Sequence, residues 1–144
     1  MRAHLESLAA ERAAIHATPQ ELAELRKTAE EQYREVRDRK PGYLERIANI
    51  NGKFHSLLQS AAQSKRLSSI LKSLSDAPLV FETFRDYSND ELNRSARHHL
   101  EIVQALEAGD GNWAASVMRS HVLAARHTLA SISDARQPDH SKAS

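Results

Sequence analysis

Apolar residues recur at three- and four-residue spacings along almost the whole chain, a period that suits amphipathic α-helices. No segment alternates apolar and polar residues with period two, so the pattern gives strands no footing. Ala, Leu, Glu, Arg and Ser dominate, mostly good helix formers, and the 4 Gly and 4 Pro fall between the periodic segments. The first segment predicts a helix from Arg2 to His16 with Leu5, Leu8, Ala9 and Ile15 on its apolar face. Thr18-Pro19-Gln20-Glu21 starts a second: Thr18 is the N-cap, Pro19 takes the first helical position and Glu21 completes a capping box. Its stripe is Leu22, Leu25, Ala29, Tyr33 and Val36.

Lys40-Pro41-Gly42 marks the next break. A third helix then spans about Pro41 to Ala62, with Leu44, Ile47, Ala48, Phe54 and Leu58 inward. Ser64 caps a fourth stretch carrying Leu67, Ile70, Leu71 and Leu74. Asp76-Ala77-Pro78 interrupts it before helix resumes through Val80, Phe81 and Phe84. Ser88-Asn89-Asp90-Glu91 is a second capping box and opens a helix to about Ala108. Gly109-Asp110-Gly111 ends that helix, and Asp110 caps a final one to about Ile132. The expected fold is all-α: a single antiparallel bundle of six to seven helices over residues 1–134, followed by a flexible tail at 135–144.

Composition narrows the function. Twenty basic residues against nineteen acidic ones leave a net charge of +1, without the concentrated basic face of a nucleic-acid binder. The chain has no cysteine, so thiolate metal sites are unavailable, and this suits a reducing cytoplasm. No apolar run approaches the roughly 20 residues that span a bilayer, and the charged start is not a signal peptide.

Three histidines interrupt the apolar stripes. Asn51 and His55, four residues apart and on one helix face, lie among the inward residues of the third helix. His99 shares a stripe with Leu92, Ala96, Ile102, Val103 and Leu106. His121 shares one with Ala114, Val117, Met118, Ala125 and Ile132. Asp110 stands eleven residues from both His99 and His121. In an antiparallel hairpin the two rings therefore sit at the same height, about 16 Å from the turn. A third helix that brings Asn51 and His55 to that height makes a three-histidine pocket. Three neutral imidazoles suit a divalent cation such as Zn²⁺ or Ni²⁺ with open positions for a ligand. A lone inward histidine is more often a hydrogen-bonded core residue, and the alternative to a metal site is a metal-free helical interaction module. A metal-dependent hydrolytic enzyme would need a general base beside the metal, and the pattern shows no inward-facing Glu or Asp there. His4, His16, His127 and His140 read as surface or tail residues, and His98 as solvent-facing or behind the ligands.

At these residues the chain resembles a family. Asn51-Gly52-Lys53-Phe54-His55 resembles the D-x-x-F-H segment of FCD domains, the effector-binding domains of GntR-family bacterial transcription regulators. His99 to Asp110 resembles that family's H-x-x-I-x-x-A-I-x-x-G-D segment, and Ala114 to His121 its A-x-x-x-M-x-x-H ending. Arg2-x-x-Leu5-Glu6 and Thr18-Pro19 also fit, so the resemblance covers essentially the whole chain. It implies a helical bundle around a cavity in which an Asp and three His hold a metal beside a small carboxylate effector. Carried over by position, the ligands are Asn51, His55, His99 and His121. Arg2 matches a cavity-facing arginine suited to a carboxylate, and Arg94 and Ser95, a turn before His99, are further effector-binding candidates. The resemblance also implies a homodimer, no catalysis, and DNA contact only through a winged-helix domain that this chain lacks.

Two departures stand out. Gln63-Ser64 replaces a customary Gly-Asn, and Asn51 replaces the usual aspartate. With an amide in place of a carboxylate, three imidazoles and a divalent ion leave the site at about +2 rather than +1. Metal affinity falls, while attraction for an anionic effector rises. The histidines binding the acid directly, without metal, is the alternative.

Overall fold

The computed structural model describes residues 1–74 and 84–136. Six helices account for most of them: α1 (Arg2–His16), α2 (Pro19–Asp38), α3 (Tyr43–Ala61), α4 (Lys65–Ser73), α5 (Asn89–Glu107) and α6 (Gly111–Arg136). The described residues contain no strand. The bundle is the expected all-α one.

The caps sit where the sequence placed them. Thr18 and Ser88 each form a complete capping box, with Glu21 and Glu91 reaching back to the cap backbone. Ser64 accepts from the Leu67 amide, and Asp110 accepts from the Trp113 amide at 2.9 Å. Each satisfies one of the amides that a helix start leaves without an internal partner. The helix α6 continues to Arg136, past Ile132 and into the segment expected to be a tail. Val80, Phe81, the Asp76-Ala77-Pro78 break and residues 137–144, including His140, lie outside the described residues.

The face of α1 differs from the expected one. Leu8 and Ile15 point outward, Ile15 being 72% exposed, while Ala9, Ala10 and Ala13 are wholly buried. Small residues win because α1 and α6 pack closely and antiparallel. Arg119 meets His4 near one end, and a Cβ added at Gly111 would lie 3.1 Å from the Glu11 carbonyl oxygen at the other. On α2 the register turns similarly: Tyr33 is exposed, and Gln32 is buried in line with Leu25, Ala29 and Val36.

Gln63, where the resemblance leads one to expect glycine, has a φ of 49°, a left-handed conformation that favours glycine. A residue with a Cβ is strained by roughly 1 kcal/mol or more in this left-handed region. The Gln63 side chain offsets part of this by donating to the His16 carbonyl at 2.9 Å.

Two apolar clusters fill the interior. One contains Leu25, Ala29, Phe54, Leu58, Ile102, Val103, Ala114 and Met118. The other is Val36, Ile47, Phe84, Leu92 and Ala96. Between them, on α2, α3 and α5, lies a layer of polar side chains.

Candidate metal centre

Each helix that crosses the polar layer brings its polar side chains by the stripe that buries its neighbours. The α3 stripe from Ile47 to Leu58 carries Asn51 and His55, and the α5 stripe from Leu92 to Ile102 carries Ser95 and His99. His121 follows Val117 and Met118 on α6, and all five of these polar residues are buried. The three imidazoles meet. His121 Nε2 lies 3.3 Å from His55 Nε2 and 3.3 Å from His99 Nε2, with ring centroids 4.6 to 5.3 Å apart.

What stands behind the rings fixes which nitrogens face inward. His99 Nδ1–H donates to Gln32 Oε1 at 2.7 Å, which leaves the Nε2 lone pair aimed at the centre. Phe54 stacks on the same ring at 4.0 Å. His55 Nδ1 faces Glu6 Oε2 at 3.4 Å, an acceptor that also asks for a proton on Nδ1. His121 Nε2 therefore confronts two lone pairs and can donate to only one of them.

A cation at the centre removes that conflict, and the spacing is right for it. Zn–N bonds of about 2.0–2.1 Å at tetrahedral angles separate nitrogens by roughly 3.3 Å. One donor atom from each histidine lies within 4.8 Å of the others. A second observation points the same way. Among the described residues, Arg2 Nε, Gln32 Nε2, Asn51 Oδ1, Ser95 Oγ and His98 Nδ1 are buried without a hydrogen-bond partner. Arg2 reaches Glu6, Gln32 holds His99, Asn51 and Ser95 precede His55 and His99 by one turn, and His98 lies 5.8 Å from His121. Buried polar atoms normally find partners, so their concentration in this one layer fits a guest with donors and acceptors. The residues present fit a divalent cation.

Electrostatics keep two of the three rings neutral. Burial, reinforced by the neighbouring histidines, holds His99 and His121 well below the ordinary histidine range. His98 is lowered by burial and by Arg94. At Glu6 burial pushes upward, but His55, Arg2 and the hydrogen bond from Gln59 outweigh it, so the carboxyl sits below its usual range.

A cavity of about 470 Å³ opens beside the rings, with His55, His121, Asn51 and Arg2 on its wall. Much of the remaining lining is apolar, including Phe84, Tyr87, Val122 and Leu129, and Arg126 adds a second guanidinium. Burial beside Glu91 raises the Tyr87 hydroxyl to about 12, so it remains a donor. Of the three effector candidates, only Arg2 lines this cavity. Ser95 is buried elsewhere in the polar layer with a free hydroxyl. Arg94 is exposed and is not among the lining side chains, although its charge is felt at His98 and His121.

Three residues of the centre were not anticipated. Gln32 and Arg126 are among them, and Glu6 overturns the expectation that no inward acid stands beside these histidines. It approaches His55 from the Nδ1 side, however, with the ring between it and the converging nitrogens. It is also engaged by Arg2 and Gln59. It is not placed as a general base for a water at the centre.

The family model described as FCD domain matches residues 1–124. Among solved structures, E. coli McbR/YncC superposes with a TM-score of 0.74 at 21% identity, over 94% of this chain and 62% of that one. The chain thus spans less than two thirds of that structure's length, and the likeness is one of fold. No curated protein matches the sequence.

Proposed function

Because the chain belongs to the FCD domain family, we propose that it is the sensing domain of a GntR-family transcription regulator, binding a small organic acid at a histidine-held divalent cation. The observation that carries this is the convergence of three imidazole nitrogens beside a cavity of about 470 Å³, with the His55 and His121 rings on its lining and His99 behind them. His55, His99 and His121 would hold the cation, with the unpartnered Asn51 amide oxygen as a fourth donor. Zn²⁺ or Ni²⁺ suits such a nitrogen-rich set better than Mg²⁺ or Ca²⁺. Once bound, the cation supplies a positive centre for the acid's carboxylate.

The protein's own groups then do the selecting. Arg2, on the cavity wall, offers a second, fork-shaped contact to a carboxylate. Phe84, Val122 and Leu129 shelter the apolar body of the acid from water. The guest draws α1, α3 and α6 onto a common centre, because Arg2, His55 and His121 belong to those three helices. In this reading the domain works as a homodimer, and the shift in helix packing reorients winged-helix modules that contact DNA.

Calorimetry of the zinc-loaded chain against a panel of small mono- and dicarboxylic acids tests the proposal. At least one acid binds with saturable heat, and Arg2→Ala weakens it by an order of magnitude or more. Silence across the panel from zinc-loaded protein would contradict the sensor reading.

A further inference from the structure

Glu6 is the anomaly of the polar layer. A wholly buried carboxylate is retained only where its surroundings stabilise it, and here it lies outside the cavity wall and away from the point where the nitrogens meet. Its contacts are Arg2 at 3.5 Å, Gln59 at 3.4 and 3.5 Å and His55 Nδ1 at 3.4 Å. Gln32, in the corresponding place behind His99, is a neutral amide. The two rings are therefore backed differently, one by a charge and one by a dipole.

We infer that Glu6 is the positioning residue of the metal centre: it holds His55 with its proton on Nδ1 and supplies, from behind the ring, the negative charge that Asn51 lacks. A carboxylate behind a ligating histidine fixes the tautomer and raises the basicity of the nitrogen facing the metal. The helix that carries it explains how it gets there. Glu6 belongs to the row of Ala9, Ala10 and Ala13, the face of α1 pressed into the bundle, and small neighbours leave the carboxylate room to reach α3. Asn51 and Glu6 thus divide between them what a single liganding carboxylate does: the amide oxygen faces the centre, and the charge sits one ring away. The inference rests on the metal reading for its charge half, while the tautomer half stands on the metal-free protein.

The test uses the full chain stripped of metal. Long-range proton–nitrogen correlation spectra of wild type show His55 as the Nδ1–H tautomer; an Nε2–H tautomer overturns the positioning role, whatever the variants do. Calorimetric titration with zinc alone then compares wild type, Glu6→Gln and Glu6→Asp. Glu6→Gln, which keeps a hydrogen-bond acceptor and loses the charge, weakens zinc binding by roughly 10- to 100-fold at unchanged helix content. Glu6→Asp recovers part of the loss. A folded Glu6→Gln that binds zinc within twofold of wild type overturns the charge role. Failure of wild type to bind zinc at all removes the metal reading instead, and leaves the tautomer measurement to decide the rest.

Discussion

The two apolar clusters and the polar layer between them are built on the same helices by opposite rules. On α5, Leu92 and Ala96 belong to one cluster and Ile102 and Val103 to the other, with Ser95 and His99 between. On α2, Gln32 interrupts Val36 and Ala29; on α3, Asn51 and His55 interrupt Ile47 and Leu58. The clusters are satisfied by volume alone. The layer is not: it keeps five buried polar atoms without hydrogen-bond partners among the described residues. Buried polar atoms normally find partners, and the contrast separates residues that hold the bundle from residues that the proposed guest would complete.

The contrast can be broken or sharpened by mutation. Ile102→Ala, inside the larger cluster, is expected to lower stability by about 2–5 kcal/mol, because it removes buried methyl groups and leaves a cavity. Denaturant unfolding measures that loss. Added zinc should still raise the midpoint by the wild-type increment, since no donor has been touched.

Acid should strain the layer and spare the clusters. His99 and His121 are held below the ordinary histidine range by burial and by neighbouring histidines. As pH falls through about 6.5 the unfolded chain takes up protons that the folded one refuses. Stability present above that pH is therefore lost as it falls, towards the lowered folded values. The metal-free wild type should lose several degrees of thermal midpoint between pH 7.5 and pH 5.5. A His99→Leu/His121→Leu double variant should lose measurably less, and equal losses would show that the layer does not control the acid response.

Asn51→Asp sharpens the comparison most gently. It returns a carboxylate to the centre and should tighten zinc binding about tenfold, or about 1.4 kcal/mol. It should also weaken binding of an acidic guest, because the centre carries one positive charge fewer. Parallel titrations with zinc and with the acid found in the panel would show the two changes moving in opposite directions.

Much of this plan was legible in the sequence, and the misses share a cause. Helix caps are local chemistry, so Thr18, Ser64, Ser88 and Asp110 could be placed from neighbours a few residues away. The meeting of His99 and His121 needed only a turn and equal spacing on either side of it. On α1 hydrophobicity identifies Leu5 and Ala9 as inward but misleads at Leu8 and Ile15. Close approach to α6 at Gly111 selects alanine instead, and Ile15 and Leu8 are turned outward. With that face misread, Glu6 was hidden. Its place beside Ala9, Ala10 and Ala13 in one helical row was the available signal. Gln32 was missed in the same way, one position from the Tyr33 chosen for the α2 stripe. Arg94 lies a turn before His99 along the helix, but its side chain faces solvent and its charge alone is felt at the layer. Partners that stand behind a ligand come from other helices, and periodicity within one helix does not report them.

The three converging imidazoles are proposed to hold a metal ion. Zinc titration of the chelator-stripped chain by calorimetry, with elemental analysis of the dialysed product, tests this most directly. The account predicts one ion per chain for wild type and none retained by His121→Ala, whose wild-type ring touches both of the others. A wild type that takes up no zinc or nickel, or a His121→Ala variant that binds as wild type does, would contradict it.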